Sequence, residues 1–136
     1  MKQIYAATPA ELAHKQARRA ERLGQTAPAY RLPNQVLGRR STIGCVALEI
    51  TQRCNLDCTL CYLSEYSEAV PDPPLSELYR RLDYIKDRFG VHTNVQITGG
   101  DPTLRPRDEL VAIVRYAARI GLYPALFTNG LRASRE

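Results

Sequence analysis

Cys54-Asn55-Leu56-Asp57-Cys58-Thr59-Leu60-Cys61 sets three thiols at the spacing C-x3-C-x2-C within eight residues. That spacing is too tight for a regular strand and too cramped for disulfides among the three, so the thiols read as metal ligands. A short thiolate loop suits an iron-sulfur cube in which three irons take protein sulfur and the fourth keeps an open coordination position. Because clusters usually take four cysteines, such a loop either lacks a ligand or reserves a place for a bound molecule. Asn55 and Asp57 are turn formers that tolerate left-handed backbone, which lets the loop curl.

Upstream of this loop, Val46, Leu48 and Ile50 alternate with Ala47, Glu49 and Thr51, which predicts a strand over residues 43–51 that delivers the chain to the cysteines. Downstream, residues 65–74 form a polar, proline-rich connection. Leu75, Leu78, Leu82, Ile85 and Phe89 then recur at helical spacing up to Gly90. A short strand is expected over 95–98, stopping at Gly99-Gly100. A second helix follows over 107–120, with Leu110, Ile113, Val114, Ala117 and Ile120 on one face and Gly121 beyond, and a third strand over 123–128. This alternation implies an α/β fold with a parallel sheet and right-handed crossovers. In such a sheet the loops that follow the strands emerge at one end, where ligands bind. The cysteine loop, Gly99 to Pro102 and Thr128 to Gly130 therefore converge on one rim. The apolar strand positions belong against the helices, which sends Glu49, Thr51, Gln96 and Thr98 to the opposite side, facing either a barrel interior or, if a barrel is incomplete, solvent.

Three stretches carry a family resemblance. Cys54-x3-Cys58-x2-Cys61 resembles the signature of the radical S-adenosylmethionine (radical SAM) enzymes, Gly99-Gly100-Asp101-Pro102 resembles their Gly-Gly-Glu-Pro motif, and Thr128-Asn129-Gly130 is similar to the segment that often ends their third strand. The resemblance covers residues 43–130 and implies the N-terminal half of a partial (β/α) TIM-like barrel. It implies a [4Fe-4S] cluster on Cys54, Cys58 and Cys61, and S-adenosylmethionine (SAM) chelating the open iron. Gly99, Gly100, Asp101, Pro102, Thr128, Asn129 and the apolar side chain of Leu60 are the SAM contacts it implies. The implied reaction is reductive cleavage of SAM to a 5'-deoxyadenosyl radical that abstracts hydrogen from a small-molecule or peptide substrate, with a flavodoxin or ferredoxin as reductant. Two residues depart from the usual pattern. Asp101 is one methylene shorter than Glu, and Leu60 stands where the family often carries an aromatic. The glycines offer positive φ and close backbone approach; the same stretch also reads as a turn into a helix, with Asp101 as its cap and Pro102 at its first position. The rival readings are a zinc-binding or nucleic-acid module that recruits Cys45 or a histidine, and a simple iron-sulfur electron carrier.

Cys45 starts the first strand, roughly 20 Å from the rim at about 3.3 Å per residue, so it is expected to be a small buried hydrophobe and not a fourth ligand. His14 and His92 are also distant from the rim in this pattern. Residues 1–42 are expected to form an N-terminal extension: a basic helix over 9–23, opened by the capping box Thr8-Pro9-Ala10-Glu11 and closed by Gly24, then a linker. Residues 43–136 are expected to be the N-terminal portion of the core domain, since three strands make about half of the implied barrel.

Composition sets the outer bounds. At 136 residues and 44% apolar content the chain can bury one modest core. It has no apolar run of about 18 residues and no signal-peptide pattern, and its four cysteines are mostly clustered, so a reducing cytoplasmic setting is expected. The net charge of +5 comes without a nucleic-acid-binding motif and is read as a solvated basic surface, with nucleic acid not expected as a partner.

Overall fold

The computed structural model describes residues 8–25, 28, 45–63 and 66–132. Helix α1 (Pro9–Gln25) is followed by strand β1 (Cys45–Thr51), helix α2 (Leu75–Phe89), strand β2 (Asn94–Gly99), helix α3 (Arg107–Arg119) and strand β3 (Tyr123–Leu126). Short 3-10 turns at Ser67–Ala69 and Pro102–Leu104 precede α2 and α3. The strands form a parallel sheet in the order β1-β2-β3, with Val46 opposite Val95, Leu48 opposite Ile97, and Ile97 opposite Leu126.

Period-two alternation places Leu48, Ile50, Val95 and Ile97 against the helices. They are buried with Leu78, Leu82 and Ile85 of α2, Ile113 and Ala117 of α3, and Leu122. Glu49, Gln96 and Thr98 lie half-buried on the opposite side, as expected. Thr51 departs from the alternation and is buried next to buried Ile50, because the β1-β2 ladder slips between Glu49 and Thr51. Cys45 is exposed and not buried: it shares the face of Ala47 and Glu49, which no helix covers among the described residues, and its Sγ lies 3.4 Å from Gln96 Nε2.

The helix ends follow local chemistry with one exception. Gly90 caps α2 at φ 82°, and the capping box of α1 is formed, with Thr8 N donating to Glu11 Oε2 at 2.8 Å and Glu11 N to Thr8 Oγ1 at 3.3 Å. Gly24, however, does not end α1, which continues to Gln25. Tertiary contact overrides the glycine. Gln25 Oε1 accepts from Val91 N at 3.5 Å, and the Arg22 carbonyl packs so close to Gly90 that a Cβ there would lie 2.7 Å away. Further along α1, Arg18 Nη1 donates to the Tyr123 hydroxyl at 2.9 Å and Glu21 Oε2 lies 2.6 Å from His92 Nε2. The helix thus docks where β2 and β3 begin. The third strand is shorter than residues 123–128: the ladder continues through Phe127 N to the Ile97 carbonyl at 2.9 Å, but Thr128 turns away to another partner. Pro124 suits this strand, which pairs only with β2 among the described residues. Among the described residues no helix is long and apolar enough to cross a membrane.

One buried cation joins three segments behind the rim. Arg105, whose side chain is 3% exposed, donates to the Ile50 carbonyl at 2.7 Å and the Pro73 carbonyl at 3.0 Å, and both Nε and Nη2 reach Glu109 Oε2, at 3.0 and 2.6 Å. Arg105→Ala would strand two carbonyls and leave Glu109 without its partner, a loss of about 3 kcal/mol. The expected result is a lower urea midpoint at an unchanged slope.

Candidate cluster and cofactor site

Parallel strands put the ends of β1, β2 and β3 side by side, and hydrogen bonds lace the loops that follow them. Gly100 N donates to the Thr51 carbonyl at 3.0 Å and Asp101 N to the Arg53 carbonyl at 2.8 Å, which fixes the loop after β2 to the approach of the cysteine loop. Thr128 Oγ1 and Asn129 N donate to Asp101 Oδ2 at 2.8 and 3.0 Å, which ties in the loop after β3. Asn129 Nδ2 donates to Asn55 Oδ1 at 2.7 Å and closes the ring back on the cysteine loop. The expected convergence on one rim is therefore what the fold builds.

The glycines are required for proximity within the chain itself. Gly99 adopts φ 136°, and a Cβ on it would lie 1.8 Å from the Thr51 carbonyl oxygen. Gly100 lacks the expected positive φ; a Cβ there would instead sit 2.1 Å from the Arg53 carbonyl oxygen. Asp101 caps the turn Pro102–Leu104, with Thr103 N donating to Oδ1 at 2.8 Å and Pro102 at the first position. Burial would push the Asp101 carboxyl up, but hydrogen bonds from Thr103, Thr128 and Asn129 outweigh it and hold the group below its ordinary value.

The cysteine loop closes a turn with Cys61 N donating to the Cys58 carbonyl at 3.0 Å, but Asn55 and Asp57 do not adopt the left-handed backbone they tolerate. Cys54, Cys58 and Cys61 are free thiols, Cys54 half-buried and the other two exposed. Among the described residues no three His, Cys, Asp or Glu side chains gather on a point that would hold a single ion. A cube asks for a different arrangement from a lone tetrahedral ion, because each thiolate takes its own iron at a separate corner. Three accessible thiols on one short loop fit that donor chemistry. Leu60 is 97% exposed.

Two residues have roles that their sequence positions did not announce. Asn55, read as a turn former, also accepts across loops, and nothing in its spacing distinguishes the two tasks. Tyr62 donates its hydroxyl to the Gly99 carbonyl at 3.2 Å, and burial with help from Glu49 raises its phenol. His92, at φ 60°, stays at the far end of the sheet beside Glu21.

The sequence that carries these loops matches a known family. The model of the radical SAM superfamily matches residues 48–136. The chain belongs to the radical SAM superfamily. Its relatives include a PqqA peptide cyclase of Rhodopseudomonas palustris, 33% identical over 116 residues that cover 85% of this chain and 27% of that protein. A GTP 3',8-cyclase of Streptomyces coelicolor is 37% identical over 93 residues, covering 65% and 26%. A 7,8-dihydro-6-hydroxymethylpterin dimethyltransferase of Methanocaldococcus jannaschii is 28% identical over 95 residues, covering 68% and 18%. The chain thus spans about a quarter or less of the length of these relatives. No solved structure matches it. Radical SAM proteins generally use a [4Fe-4S] cluster and SAM, and the three strands with their helices are consistent with part of a TIM-like barrel.

Proposed function

We propose that this chain is the radical-generating portion of a radical SAM enzyme, with Cys54, Cys58 and Cys61 as the ligands of a [4Fe-4S] cluster and the laced rim as the SAM site. When bound, cluster and SAM together supply a 5'-deoxyadenosyl radical that abstracts hydrogen from substrate. The observation that carries this reading is the ring of hydrogen bonds joining the three motif loops at the ends of β1, β2 and β3. Carbonyl groups of the Gly99-Gly100 loop would receive the amino group of SAM, and Thr128 and Asn129 would line its flank. The hydroxyl of Tyr62 already marks the Gly99 carbonyl as an acceptor reachable from the cysteine loop. Pro102, buried behind Asp101, would hold the loop from behind, and Leu60 would offer the adenine an apolar contact.

The named relatives specify a peptide, GTP and a pterin, yet each matches over 93 to 116 residues, 65% or more of this chain. That agreement supports assigning the matched part to radical generation, common to all of them, and the choice of a peptide or small-molecule substrate to other parts of the protein. A flavodoxin- or ferredoxin-type reductant would deliver the electron.

The test is anaerobic reconstitution with iron and sulfide. The expected product is a brown protein with broad absorbance in the blue part of the visible spectrum that changes when SAM is added. A colourless chain that takes zinc, or a cluster indifferent to SAM, would overturn the reading.

A further inference from the structure

The geometry points to Asp101 as a positioning residue: its carboxylate is a clasp that holds the Thr128-Asn129 loop against the Gly99-Gly100 loop, and it makes no contact with SAM itself. The inference rests on the proposed function for its ligand, but the clasp is defined by this chain's own atoms. Asp101 is 0% exposed. A buried carboxylate is tolerated only when its lone pairs are satisfied, and here each oxygen serves a different loop. Oδ1 accepts from the backbone and hydroxyl of Thr103; Oδ2 accepts from the Thr128 hydroxyl and the Asn129 backbone. With four donors already in place, the group has no vacant direction for a ligand's ammonium. The main chain of the same residue binds the Arg53 carbonyl, and the clasped Asn129 reaches Asn55. One side chain thus sets the spacing of both SAM-side loops, and through Asn129 and its own amide it registers them to the cysteine loop.

This accounts for the aspartate where the family resemblance has glutamate. A longer side chain in the same buried space would carry its carboxylate past one set of donors. It also states what the clasp contributes: loops held in place beforehand need not be ordered when SAM binds, so the affinity is higher.

Asp101→Ala is the first test, because it removes both carboxylate oxygens and leaves the Asn129 amide and the Thr128 hydroxyl without their acceptor. In the cofactor-free chain, the Asn129 amide should exchange with deuterium at least about tenfold faster, since it loses its acceptor. After reconstitution, iron and sulfide content should match wild type while the dissociation constant for SAM rises at least about tenfold. Thr128→Val keeps the side-chain volume and removes one of the two donors to Oδ2 while the Asn129 amide keeps its acceptor, so it should weaken SAM binding in the same direction with a smaller change in Asn129 exchange, and it serves if Asp101→Ala does not fold. The double variant should bind SAM no more weakly than Asp101→Ala alone, because Thr128 reaches the other loop only through that carboxylate. Multiplying losses in the double variant, unchanged Asn129 exchange in Asp101→Ala, or unchanged SAM affinity in either single variant would each overturn the clasp. A wild-type chain that takes up no cluster would overturn the proposed function instead, and that result is visible before any variant is made.

Discussion

Single replacement of Cys54, Cys58 or Cys61 by alanine will leave the reconstituted chain without a stable four-iron cluster, whereas Cys45→Ala will keep it. The asymmetry follows from position. The three loop thiols leave the end of β1 together, on a turn closed by Cys61 N and the Cys58 carbonyl. Cys45 opens the same strand at the other end, exposed beside Gln96. With one iron corner already left to a non-protein ligand, the cube has no spare thiolate, and removing another exposes two corners. Iron and sulfide counts per chain, with the blue-region absorbance, check the four variants. Wild-type counts in any loop variant would refute the ligand set.

The second large effect is expected at Gly100. Replacement by alanine should lower both cluster yield and SAM affinity, and valine should be worse. Backbone angle does not set this cost, since Gly100 is outside the positive-φ region. The added Cβ would stand 2.1 Å from the Arg53 carbonyl oxygen and 2.5 Å from its carbon. Backbone cannot move aside as a side chain does, so either the loop after β2 or the approach to Cys54 must shift, at a cost of about 1–3 kcal/mol or more. Because Arg53 adjoins Cys54, the displacement reaches the first proposed ligand directly. Loss of SAM affinity with full cluster content would show that the cysteine loop yields nothing and that only the SAM side moves.

Much of this molecule could be read from residue order because its elements obey short-range rules. The recurrence of Leu75, Leu78, Leu82 and Ile85 and the stop at Gly90 define α2 as it is found, and the alternation in β1 and β2 selects the buried face. The β-α alternation located the rim, and the family motifs assigned its residues. What escaped the reading depends on contacts between distant segments. Gly24 signals a helix end, but the packing of Arg22 and Gln25 on the turn before β2 carries α1 through it. Cys45 has an apolar side chain's preference for burial, yet strand parity puts it on the uncovered face. The need for glycine at position 100 comes from an oxygen 47 residues earlier in the chain, which no local pattern reveals. Arg105 looks like an ordinary surface charge in a list of residues, and Asp101 stands out there only as a motif residue and a cap; the folded chain gathers carbonyls around one and donors from two loops around the other.

The docking of α1 has a consequence for the order in which the chain is made. Arg18 leaves the ribosome 105 residues before Tyr123, the side chain it will eventually hold. Until α2 and the turn at residues 90–92 are made, the helix has no surface to lie on, and an isolated helix of 17 residues is marginal in water. The reciprocal bonds of Thr8 and Glu11 need nothing from the rest of the protein. A cap of this kind contributes about 0.5–2 kcal/mol, and that contribution matters most while the nascent segment waits for the surface it docks on to be translated.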